Sequence, residues 1–296
     1  MATDVNLADY RKDLATDLTC MMASVRKTKH LTCVFDATWQ AEVQSYIKQV
    51  TPGQKWKRYM ALLDFRGQPI LGGGDFINRL DSALESIHGV TRKRKSLRAK
   101  TRALRGLNDQ YYGAVFEILI LGTFAESGAL IEYEPKCAKR IVDGLIDLAG
   151  TKFLIEITIN RTLNAVQPGV GFLNPCPGAK KIESKIADKV VQAGGGNDPL
   201  LLFTCARGAQ LAIGSELGLL NGFVESGSSA VTAVLITATH CPSGFALAAN
   251  PCARVCLSPD HRLALEGIIT VRDFPWIVNP SDIRQRPGNH AYRPPS

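Results

Sequence analysis

Several signatures are missing from this sequence, and each absence excludes something. No Cys-x-x-Cys pair occurs among the eight cysteines, so the tight paired spacing of a zinc ribbon or redox motif is lacking. The set His240, Cys241, Cys252, Cys256 and His261 leaves a structural zinc site as a lesser reading, because it lacks tight paired ligands and Pro242 and Pro251 crowd its spacing. The thiols are expected to be reduced and buried. The triple glycine at 72–74 is followed by no Gly-Lys-Ser/Thr, which excludes a phosphate-binding loop of that type. There is no Gly-x-Ser-x-Gly nucleophile elbow. The longest apolar stretches, such as residues 114–124, carry Glu117 and fall short of the roughly 20 residues that a membrane helix needs. The first residues, MATDVNLADYRKD, are polar and acidic, unlike a secretory signal. A cytoplasmic protein with no membrane partner is therefore expected, with the sequon Asn160-Arg161-Thr162 left unglycosylated.

One further absence is local. Between Arg92 and Arg105 there is no acidic residue, while eight positions are basic: Arg92, Lys93, Arg94, Lys95, Arg98, Lys100, Arg102 and Arg105. The chain as a whole carries a formal charge of +8 over 296 residues. Charge concentrated in this way points to a polyanionic partner, and DNA phosphates are the expected one.

What is present is an ordinary apolar share, 45%, enough for a real core. Residues 1–107 read as a helical region ending in the basic segment. Leu14, Leu18, Met21 and Met22 recur at helical spacing, and 51–53 and 71–74 read as breaks. From 108 the pattern changes. A helix over 111–127 is followed by a strand at 130–133, and strands at 140–148 and 152–159 are joined by a tight connection at Ala149-Gly150-Thr151. A Gly/Pro-rich loop precedes a helix over 179–193. An apolar strand at 200–204, a helix at 210–225, and strands at 230–238 and 244–249 complete residues 108–278, with a tail from 279 to 296. No internal repeat is visible. The order predicts an α/β fold with a mixed sheet.

The chemistry concentrates in the segment from Val142 to Thr158. Asp143 opens one strand and Glu156 lies late in the next, so the hairpin brings them side by side. Alternation puts Asp143 and Asp147 on one face, and Glu156 with Thr158 on one face, while Phe153, Ile155 and Ile157 point the other way. An apolar strand that holds a Glu between two isoleucines beside an Asp suits a divalent cation, which takes carboxylate oxygens and also binds phosphate.

This hairpin resembles that of the PD-(D/E)XK nucleases, the restriction-endonuclease-like superfamily, in which an Asp starts one strand and Glu-x-Lys ends the next. Twelve residues separate Asp143 from Glu156, and the resemblance covers residues from about 111 to 205. It implies an α-β-β-β-α-β core and a Mg²⁺ (or Mn²⁺) ion on Asp143 and Glu156, completed by Glu117 from the preceding helix. The implied activity is hydrolysis of DNA phosphodiesters, of restriction or defence type, and a homodimer is left open. The family lysine falls at Thr158. Its charge is then expected from the following helix, where Lys181, Lys185 and Lys189 share one face and Lys185 is the favoured candidate; Gln192 matches a helix position that some members use. If no cation substitutes, the chain is a nuclease fold that binds DNA without cutting it.

Overall fold

The computed structural model describes residues 6–51, 60–67, 72–91, 94–106, 108–137, 140–161, 199–207, 229–237 and 240–273. The chain divides into two compact units, Met1–Glu126 and Ser127–Ser296.

The first unit is helical. Helix α1 (Leu7–Val25) starts where the Asn6 side chain accepts the Ala8 N–H, and it buries Leu14, Leu18, Met21, Met22 and Val25, the spacing read from the sequence. Helix α2 (Ala37–Gln49) is capped by Asp36, which accepts the Trp39 N–H at 2.9 Å, and it buries Trp39, Val43 and Ile47. Helices α3 (Met60–Gly67), α4 (Gly72–Val90), α5 (Arg94–Ala103) and α6 (Asn108–Glu126) follow. The triple glycine is not wholly a break, because Gly72, Gly73 and Gly74 form the first turn of α4. Helix α6 is buried almost all round, as a helix apolar on every face must be. Gly122 lets α4 approach it closely: a Cβ there would lie 2.3 Å from Ala83 Cβ. The connection from α1 to α2 is tied down by Asp81 of α4, whose carboxylate accepts the backbone N–H groups of Lys29, His30 and Leu31 at 2.8–3.0 Å.

The second unit contains a mixed seven-stranded sheet. Its strands are β1 (Leu130–Tyr133), β4 (Gly144–Leu148), β5 (Thr151–Arg161), β6 (Leu200–Arg207), β7 (Val231–Thr237), β8 (Phe245–Ala249) and β9 (Val271–Asp273), in the spatial order β1-β4-β5-β6-β7-β8-β9. The pairs β1/β4, β4/β5 and β7/β8 are antiparallel; β5/β6, β6/β7 and β8/β9 are parallel. Strands β2 (Lys136–Cys137) and β3 (Arg140–Ile141) form a separate two-stranded ribbon. Every residue of β7 is buried, as is every residue of β6 from Leu200 to Cys205, which fits sequences that are apolar apart from the buried threonines Thr204, Thr232 and Thr237. Helix α7 (Pro259–Glu266) starts at a Ser258 cap with Pro259 in its first turn.

The protein thus has an α/β fold, an N-terminal helical region followed by a mixed seven-stranded sheet, as the order of elements predicts. One expected element is corrected. The single strand over 140–148 is two, because the chain changes partners at Val142-Asp143: β3 pairs with β2, and β4 enters the main sheet. The expected helices over 179–193 and 210–225 and the tail from 279 lie outside the described residues. No described helix is long and apolar enough to cross a membrane.

Candidate metal centre and nucleic-acid interface

The β4–β5 hairpin is built from its turn outward. Leu148 pairs with Thr151, leaving the two-residue loop Ala149-Gly150. Both loop residues have positive φ, 50° and 82°, the type I′ pattern whose twist matches the flanking strands. Glycine takes this conformation freely, but alanine does so at a cost. Asp147 offsets part of it, since its Oδ1 accepts the Gly150 N–H at 2.7 Å. Asp147 is therefore a turn-capping residue.

At the other end of the hairpin, the ladder pairs Gly144 with Ile155. Asp143 is the next residue, and it grips both neighbours of Glu156. Its backbone N–H donates to the Ile155 carbonyl at 3.1 Å, and its Oδ2 accepts the Ile157 N–H at 2.7 Å. On its other side, the Asp143 carbonyl accepts the Glu134 N–H at 3.0 Å. Asp143 is thus fixed by three hydrogen bonds where the chain crosses from the ribbon into the sheet. Two of these bracket Glu156.

Glu156 sits on β5 between β4 and β6, opposite Leu202, and is only 4% exposed. Its neighbours Leu154, Ile155 and Ile157 are also buried, so both faces of β5 are covered here and not just the face that carries Ile155. Thr158, half-buried, follows two residues on and pairs with Thr204 of β6, which is fully buried. A buried carboxylate beside a second acid is costly in an apolar setting unless compensated. The donor types, one carboxylate just ahead of β4 and one on the neighbouring β5, are those a small hard cation prefers.

Glu117 belongs to the helical unit. It lies on α6, 6% exposed, in an ion pair with Lys100 of α5. Lys185, with Lys181, Lys189 and Gln192, lies outside the described residues, as do Arg92 and Lys93.

The basic segment sorts into two groups. Helix α5 buries Leu97, and Leu104 is buried just past its end. Lys100 and Arg105, both read from the sequence as DNA contacts, are engaged within the helical unit: Lys100 with Glu117, Arg105 with the capping carboxylate Asp36. The Arg105 guanidinium and the Trp39 N–H hold the Asp36 carboxyl below its ordinary range, the backbone hydrogen bond being the larger cause. Lys95, Arg98 and Arg102 are exposed, and among the described residues no ion pair engages them. Arg94 opens the helix.

No three of His240, Cys241, Cys252, Cys256 and His261 bring ligand atoms within 4.8 Å of one another. His261 is instead a structural residue. Ser258 Oγ accepts its N–H, and its Nδ1 accepts the Ser258 N–H at 3.3 Å. The other ring nitrogen therefore carries the proton and donates to Thr151 Oγ1 at 2.9 Å, with the ring edge-on to Phe153. This box pins α7 to β5. The residues Ser258-Pro259, a helix-start signal, could have revealed α7 in the sequence. The expected burial of the thiols holds for Cys205 and Cys241; Cys20, Cys33 and Cys256 are exposed.

No protein-family model matches the chain, and neither a curated protein nor a solved structure does.

Proposed function

We propose that the chain is a metal-dependent deoxyribonuclease of the PD-(D/E)XK type, holding Mg²⁺ or Mn²⁺ on Asp143 and Glu156 and hydrolysing DNA phosphodiesters. The observation that carries this reading is the pair of hydrogen bonds by which Asp143 brackets the buried Glu156. With Asp143 tied to the backbone on both sides of Glu156, the two acids offer an oxygen donor set of the kind a divalent cation takes. The strand sequence β1, β4, β5 and β6 adds support, since its antiparallel, antiparallel, parallel senses continue the α-β-β-β-α-β order that the sequence resemblance implies. A divalent ion at such a site supplies an activated water and charge neutralisation at a phosphoryl oxygen. The protein's own part is to hold the two carboxylates in place and keep them desolvated.

Thr158 favours a second reading, a nuclease fold that binds DNA without cutting it. A hydroxyl stands where the resemblance implies a lysine, and it brings no positive charge to the scissile phosphate. Lys185 is the candidate substitute in the active-enzyme reading. The experiment is cleavage of plasmid, linear duplex and single-stranded DNA by the full chain, with Mg²⁺ or Mn²⁺ and with EDTA. Cutting that needs metal, and that Glu156→Ala and Lys185→Ala each abolish, is the expected result. No cutting with either metal, alongside intact DNA binding, would replace the enzyme with the binding module.

A further inference from the structure

The basic residues described on and just after α5 do not act as one patch. Lys100 and Arg105 fasten α5 to its own unit through Glu117 of α6 and Asp36 at the start of α2. Buried Leu97 and Leu104 hold the same side of the segment. What remains outward is a stripe. At about 100° per residue, Lys95, Arg98 and Arg102 fall within roughly 60° of one another around the helix axis, on the side away from Leu97, over about 10 Å of axis. All three are exposed.

The chemistry of this stripe restricts what it can hold. From Arg94 to Gly106 there is no Phe, Tyr, Trp or His, so no ring is offered for a base to stack on. Single-stranded nucleic acid is gripped through such stacking platforms. There is also no Asn or Gln in that stretch to read an adenine edge. Nor does the stripe fit a lipid surface. Interfacial helices insert large apolar side chains beside their cations, whereas among the described residues the exposed large hydrophobic ones, Ile131, Ile141 and Leu263, all belong to the other unit. Three cations on a helix anchored by two ion pairs and two buried leucines make a preorganised phosphate rail.

We infer that α5 is a duplex-DNA backbone contact in which Lys95, Arg98 and Arg102 each neutralise one phosphate, without regard to base sequence, while Lys100 and Arg105 serve only to position the helix. This rests on the nuclease reading solely for the identity of the polyanion as DNA. Each phosphate neutralised contributes about 0.9 to the slope of log K against log salt, so the three together contribute about 2.7. Over the decade of salt from 1 M to 0.1 M that amounts to a weakening on the order of 500-fold at 0.1 M when all three are removed.

The test uses the full chain in EDTA, where nothing is cut, with a fluorescent duplex of mixed sequence titrated at four salt concentrations. The variant is Lys95→Gln/Arg98→Gln/Arg102→Gln, exposed changes to a good helix former that leave the fold intact; an unchanged Tm verifies this. The expected result is a slope shallower by about 2.7, the same for two unrelated duplexes. A folded variant with wild-type slope overturns the inference, as does tighter binding of the wild type to single strands of equal length. Binding to anionic vesicles that the triple change abolishes, with duplex affinity untouched, overturns it in favour of a lipid surface. Failure of the nuclease reading looks different: metal-dependent cutting is absent while the slope loss persists.

Discussion

Asp143 is proposed to carry two duties, and two substitutions at that position separate them. In the folded protein its Oδ2 accepts the Ile157 N–H at 2.7 Å. Asp143→Ala removes the acceptor and leaves that amide, inside a covered region of the sheet, without its partner. Stranding a buried donor costs about 1–3 kcal/mol. Asp143→Asn keeps a carbonyl oxygen for the same bond and removes the charge beside Glu156, so without metal it is expected to be nearly neutral. At about 2–4 °C per kcal/mol for a unit of this size, the Ala variant should melt roughly 2–12 °C below wild type in EDTA. Metal answers the other question. A ligand present at 100 times its Kd stabilises the native state by about 2.7 kcal/mol. Titration with Mg²⁺ or Mn²⁺ should therefore raise the wild-type Tm, and both variants should lose that response. The assay is differential scanning calorimetry of the three proteins with and without metal. Equal losses for Ala and Asn in EDTA would refute the hydrogen-bond argument. An undiminished metal response in Asn would refute the ligand assignment while leaving the structural role standing.

Two further outcomes follow from other parts of the chain. Ala149 adopts φ 50° in the hairpin turn, where Asn is the favoured residue, so Ala149→Asn should raise stability by about 1 kcal/mol in urea melts, and a loss would contradict the turn geometry. Glu85 is held down to about 2 from an ordinary 4.5, chiefly by hydrogen bonds from Lys29 and His30. A depressed folded-state pKa means the contribution is fully present above pH 4.5 and disappears as pH falls through about 2. The Tm gap between wild type and Glu85→Gln should close across that window and narrow in high salt, because the cluster is exposed; a gap independent of pH would remove the ion cluster from the stability of the α1–α2 connection.

Much of this molecule is legible in its sequence because the relevant forces are local. Helical spacing at Leu14, Leu18, Met21 and Met22 dictates which face of α1 is buried. Ala149-Gly150 can turn a hairpin because one residue lacks a Cβ, and the largely apolar sequences of β6 and β7 demand a covered sheet. Asp143 and Glu156 are legible as neighbours, since a hairpin folded at a known turn leaves them no other relation. Tertiary structure decided the rest. The side chain of Asp143 grips the backbone of β5, which no periodicity reveals. Lys100 and Arg105 look identical in sequence to Arg98 and Arg102, yet their charges meet Glu117 and Asp36, residues 17 and 69 positions away. His261 stands in the sequence only as one of an irregular Cys/His set, and its role as a cap is settled by Ser258 and by Thr151, 110 residues earlier, which hydrogen-bonds its ring. In each case the sequence supplies the group, and what it does depends on a partner that only the fold brings within hydrogen-bond reach.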